Sequence, residues 1–271
     1  MIGPDGEWLG YLWTKEPGFR NPQVWPLDSH RPLSVVSPSM PRLHVSEDAG
    51  DREATSSSAT IEASLADIDQ QVLRLFAMVS EGLAAATTAF LDNDREAARV
   101  VAAADQAIDS LELAVEELVH DQLVAVPCPA AGNLRVLVAV LRIVPELERS
   151  GDLVEHIALR TPQGMASLLS PRARGLVDQM GQVGVRMWRG AANAYAERDP
   201  GAAERLRTLD DQLDDLHVSL SAELAESVTS TPVAIEMGLV ARFLERLGDH
   251  AVNVARRVRD FYPYSPLEQP A

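Results

Sequence analysis

Apolar residues recur every three to four positions from Ile61 onward, the period of helices that bury one face. The segment 61–91 carries Leu65, Ile68, Val72, Leu75, Val79 and Leu83 as its stripe, and Asp92-Asn93-Asp94 breaks it. Residues 95–124 follow with Val101, Ala104, Ile108, Leu111, Val115 and Leu118, stopped by Pro127 and Pro129. A third helix is predicted over 133–159, with Leu134, Leu137, Leu141 and Val144 facing inward. After a Gly-, Pro- and Ser-rich loop at 161–171 the plan repeats, over 172–198, 200–227 and 232–261. The pattern therefore predicts an all-α protein of six long helices in two sets of three.

The first 59 residues break this pattern. They hold 7 of the 17 prolines, Trp8, Trp13, Trp25 and the lone lysine Lys15, with no sustained apolar period. The acidic and Ser/Thr-rich run 48–60 reads as a solvated linker. The expected organisation is an N-terminal extension over 1–59, one trihelical repeat over 60–160, a second over 161–262 and a tail over 263–271. Duplication is supported locally: Leu147-Glu148-Arg149-Ser150-Gly151-Asp152 and Leu244-Glu245-Arg246-Leu247-Gly248-Asp249 share five of six positions, late in each set.

Composition narrows the function. A formal charge of −16 repels phosphate backbones and anionic membranes, which argues against nucleic-acid binding. One cysteine, Cys128, allows no internal disulfide, which points to a reducing, cytoplasmic setting. The uncharged apolar runs are too short for a membrane span, the longest candidate (134–144) being interrupted by Arg135 and Arg142. No phosphate-binding glycine loop, dinucleotide fingerprint or nucleophile elbow is present, so no enzyme is expected.

The candidate chemistry lies in paired acids. Gly151 and Gly248 stand mid-helix between carboxylates, where alanine would be about 1 kcal/mol better, so a close approach to the backbone or a nearby cation is expected. Asp105 and Asp109, and likewise Asp210 and Asp214, project from one face of the middle helices. Set against Glu148 and Asp152, and against Glu245 and Asp249, they would form two carboxylate quartets suited to hard cations. His156 and Asn253 are possible outer ligands, and Arg149 and Arg246 possible ion-pair partners that would leave the acids as ordinary solvated faces. A single Glu117/His120 step falls short of the two that di-iron bundles use.

The stretch Val240–Ala255 resembles the C-terminal signature of the PhoU family of phosphate-signalling regulators, and Leu141–Ala158 resembles its N-terminal counterpart. Asp105–Glu112, Asp210–Leu216 and Pro129–Arg135 are similar to that family's flanking motifs. The resemblance covers roughly 61–261 and implies two tandem three-helix bundles in one body. It further implies multinuclear clusters of iron, zinc, manganese or magnesium on Asp105, Asp109, Glu148 and Asp152, and on Asp210, Asp214, Glu245 and Asp249. It implies a cytoplasmic homodimeric adaptor between the phosphate ABC transporter and a sensor histidine kinase, repressing the phosphate-starvation response when phosphate is plentiful. The chain departs from the family pattern at Asn133, Pro145, Ser150 and His156, all on the helix that carries the first site. The alternative is a carboxylate-bridged metal protein of the ferritin or oxygenase type.

Overall fold

The structure is a computed structural model that describes residues 47–125, 131–227 and 230–261, with side chains from Ile61. Trp8, Trp13, Trp25, Cys128, the pair Pro127 and Pro129, and the tail 263–271 lie outside the described residues. Six α-helices carry the chain: α1 Glu47–Asp92, α2 Arg95–Ala125, α3 Ala131–Ala158, α4 Pro171–Glu197, α5 Ala202–Glu226 and α6 Thr231–Phe261. Two short 3-10 turns, Thr161–Gln163 and Met165–Leu168, join the halves, with Gly164 supplying a left-handed backbone (φ 68°) between them. Among the described residues there is no strand.

Helix boundaries follow local chemistry. The chain leaves α1 through Asn93 in a left-handed conformation (φ 55°), and Asp94 then accepts hydrogen bonds from the amides of Glu96 (3.1 Å) and Ala97 (3.0 Å), capping α2. The same turn recurs between α4 and α5. Arg198 takes φ 56°, and Asp199 accepts from the Gly201 amide at 2.8 Å. Ser170 caps α4 by accepting from the Ala173 amide (3.0 Å) while donating to Glu223 on α5 (2.7 Å). The repeated turn places equivalent residues of the two halves at equivalent heights.

Two expectations fail at the element scale. The run 48–60 is helical, because α1 begins at Glu47: past Gly50 it holds neither Gly nor Pro, and its leading acids suit a helix N-terminus. The inward stripe of α3 is also rotated from the expected one. Leu134 and Leu141 are exposed, whereas Leu137, Val140, Ile143, Val144 and Leu147 are buried. The α1 stripe is as expected, with Ile68, Val72, Leu75, Val79 and Leu83 fully buried.

Each half is a trihelical bundle, but the two share one core. α1 and α3 pack together and carry α2 on one side; α4 and α6 carry α5 likewise. α1 packs on α4 and α3 on α6, leaving α2 and α5 outermost. Phe76 of α1 meets Trp188 and Tyr195 of α4 at 6.1 and 5.6 Å between ring centres. This accounts for the composition of 61–92, which is long and apolar enough to cross a membrane: α1 is surrounded by α2, α3 and α4.

Candidate metal centre

The acids named from the sequence line two equivalent seams, α2–α3 and α5–α6, near enough for their charges to act on one another. At the first, Asp105 reaches the backbone of α3 beside Gly151. A Cβ there would stand 2.9 Å from Ile108 Cδ1 and 3.1 Å from Asp105 Oδ1. At the second, a Cβ on Gly248 would stand 2.6 Å from Leu213 Cδ2 and 3.0 Å from Asp210 Oδ1. The two mid-helix glycines are thus explained alike: the middle helix presses one aliphatic side chain and one carboxylate onto the bare backbone of its neighbour.

Burial and mutual repulsion work together at these acids. Burial, then the charges of Asp109, Glu155, Asp152 and Glu148, push the Asp105 carboxyl up to about 6. Burial, then Asp249, Asp214, Glu245 and Asp211, push Asp210 to about 6 as well. Glu148 is raised by burial, Asp152 and Asp109, against the opposing pull of Arg149. Glu245 is raised by burial and Asp249, with Arg242 and His217 pulling the other way.

Glu112 escaped the sequence reading. It lies one helical turn beyond Asp109, and burial followed by Glu148, Glu116 and Asp109 raises it to about 7. Its equivalent on α5 is His217, so a search for acids repeated in both halves passes over it. The spacing Asp105, Asp109, Glu112, Glu116 along one face of α2 is the signal that would have found it.

The arginines answer differently from expectation. Arg149 pairs with Glu146 (3.2 Å) rather than with Glu148 or Asp152, and Glu245 is held by Arg242 rather than Arg246. The rotation of α3 explains this, since it buries Glu146 and leaves Arg149 at its rim. The possible outer ligands also have other partners. The His156 ring lies against Phe243 of α6 (5.5 Å between centres), and Asn253 accepts from Arg256 at 3.4 Å. Glu117 and His120 are exposed, with His120 beside Asp121 at 3.7 Å.

The donor set is made of hard carboxylate oxygens, and Asp105 Oδ1 is buried with no hydrogen-bond partner among the described residues. That chemistry fits a divalent cation. Among the described residues no three His, Cys, Asp or Glu side chains form a group ready to hold one ion, so the seams are open carboxylate clusters rather than closed chelates.

A second polar group, not anticipated, joins the halves at α3–α6. Ser150, fully buried, donates to the Glu146 carbonyl (2.6 Å) and accepts from His250 Nδ1 (2.9 Å). Burial holds the His250 imidazole below its ordinary range, so the ring is neutral at pH 7. The buried Glu146 carboxylate receives Arg257 of α6 at 2.7 Å. Ser150, where the second half has Leu247, is therefore matched by a partner on the opposite helix.

Six packed helices in two equivalent halves, each with an acidic seam over a bare glycine, define a duplicated trihelical carboxylate bundle. The PhoU domain profile matches residues 72–161 and 177–258, and the chain belongs to the PhoU family. It is 32% identical over 200 residues to phosphate-specific transport system accessory protein PhoU homolog 2 of Mycobacterium tuberculosis, covering 72% of this chain and 92% of the relative. It is 34% identical over 176 residues to homolog 1 of the same species, covering 64% of this chain and 79% of that protein. The crystal structure of PhoU from Pseudomonas aeruginosa superposes with a TM-score of 0.68 at 28% identity, over 74% of this chain and 97% of the other. The crystal structure of the Streptococcus pneumoniae regulator shares the fold at a TM-score of 0.66 and 24% identity.

Proposed function

We propose that the chain is a regulatory adaptor of phosphate homeostasis at the cytoplasmic face of the membrane. It docks on the phosphate-specific ABC transporter and on a sensor histidine kinase, and holds the kinase in its repressing state when phosphate is plentiful. The observation that carries this reading is the match of both halves to relatives named as accessory proteins of phosphate-specific transport. A helical body with two faces can act in this way by binding one state of each partner better than the other. The charge of −16 leaves phosphate itself a poor direct ligand.

Divalent cations at the acidic seams belong to the same reading. Asp105, Asp109, Glu148 and Asp152 would hold the first, and Asp210, Asp214, Glu245 and Asp249 the second. A bound cation would neutralise carboxylates that otherwise repel one another. Glu112 and Glu155 would add charge at the first seam, while His217 makes the second less negative.

Deleting the gene should switch on a phosphate-starvation reporter in phosphate-rich medium, and the wild-type gene should restore repression. A reporter that stays silent after deletion refutes the adaptor role. Elemental analysis of purified protein addresses the cations separately: the Asp210→Asn/Asp249→Asn double variant should lose about half of the bound metal. Equal metal in variant and wild type removes the second seam from the proposal.

A further inference from the structure

Among the places where the two halves differ, one changes the packing between helices. Counting back from the matched turns at Asn93 and Arg198, Gly82 of α1 occupies the position that Met187 holds in α4. On the outer helices, Val101 stands where α5 has Leu206. In the second half these larger side chains fill the space between the helices. Met187 is fully buried, with its Cε 3.3 Å from the Cβ position of Gly248, and Leu206 packs 2.9 Å from that of Gly190. In the first half Val154 takes part of that space, its Cγ1 3.2 Å from the Cβ position of Gly82, and the rest is a cleft of about 270 Å³ between α1, α2 and α3, lined by Gly82, Ile108, Gly151 and Val154.

The walls are apolar apart from two side chains, both acids: Asp105 and, on the exposed face of α1, Glu81. Asp105 Oδ1 is the buried oxygen without a hydrogen-bond partner among the described residues. A buried acceptor in that condition costs free energy that a charged donor recovers. An ammonium carries three donors and no acceptor, which suits a site whose polar groups all accept. The cleft is at the small end of ligand sites, too small for a nucleotide or a folded partner and adequate for a short alkyl chain.

We propose that this cleft binds a small primary alkylammonium ion. Its chain takes the room that Met187 occupies in the other half, and its ammonium donates to Asp105. The site does not rest on the adaptor reading, and a metal cation at the first seam would compete with the ammonium for Asp105.

The test is calorimetric titration of hexylammonium into the full chain, with chelator present at pH 7.5 so that metal plays no part. Saturable binding of one equivalent is expected, with 1-hexanol and hexanoate at least tenfold weaker. Gly82→Met fills the cleft and should weaken hexylammonium binding at least tenfold. Asp105→Asn, nearly isosteric and expected to fold, should do the same without altering the cleft's shape. Asp215→Asn, an exposed acid of α5 in the half that Met187 fills, should leave the affinity unchanged. Wild-type affinity in either of the first two variants, or hexanol binding as tightly as hexylammonium, overturns the proposal.

Discussion

Asp210 shows how a single residue reports on its surroundings. Its carboxyl is raised to about 6 by burial and by four neighbouring acids, so the folded state keeps a proton that the unfolded chain releases near pH 4. A raised carboxyl favours the fold fully below the unfolded value, and that contribution is lost as pH climbs through 4 to 6. Asp210→Asn should therefore stabilise the metal-free protein at pH 7.5, by up to about 1 kcal/mol after solvent screening, with the gain vanishing near pH 4. Urea denaturation across that range, with chelator present, checks it; a variant less stable than wild type at pH 7.5 contradicts the electrostatic account. The acids and mid-helix glycines were visible in the chain because each violates a local rule. Glu112 was passed over because its counterpart in the second half is His217, which leaves it outside the repeated pattern.

Helices respond to a different constraint, the distance at which they pack. α1 presses tightly on α4 at Gly181, where a Cβ would stand 2.5 Å from Thr87 Cγ2 and 2.8 Å from its Oγ1. Thr87 is buried, β-branched and bonded to the Leu83 carbonyl at 2.9 Å, so it cannot swing aside without losing that bond. Gly181→Ala should destabilise the protein by about 2 kcal/mol despite its better helix propensity, because the two helices must separate. Gly238→Ala, with nothing within 4 Å of the new methyl, should instead stabilise it by about 1 kcal/mol. Chemical denaturation of the pair reads both signs, and a stabilised Gly181→Ala contradicts the close approach. Periodicity placed the helices within a few residues except at the start of α1. It misjudged the α3 face because α3 packs on α1, α2 and α6 together, which buries a broader arc than one stripe.

At the scale of the whole molecule, the two bundles share one core through α1–α4 and α3–α6. Separating them would expose the aromatic contact of Phe76 with Trp188 and Tyr195, and would strip Glu146 of Arg257 and Ser150 of His250. Scanning calorimetry of the full chain should show one unfolding transition for the helical body. Glu146→Ala should lower its midpoint, costing about 2 kcal/mol because a partly buried arginine loses its carboxylate, without splitting the peak. Two resolved transitions in the wild type would mean that the halves fold separately.

The chain by itself determined six helices, their grouping in threes and the two acidic motifs, because period, caps and repeated glycines are local properties carried within each segment. Only the tertiary structure decided that Arg149 serves Glu146, that Ser150 meets His250, and that Gly82 opens a cleft which Met187 fills on the other side. Those outcomes depend on which faces of separate helices come together. That is settled by the rotation and spacing of packed elements, on which the order of residues along one helix is silent.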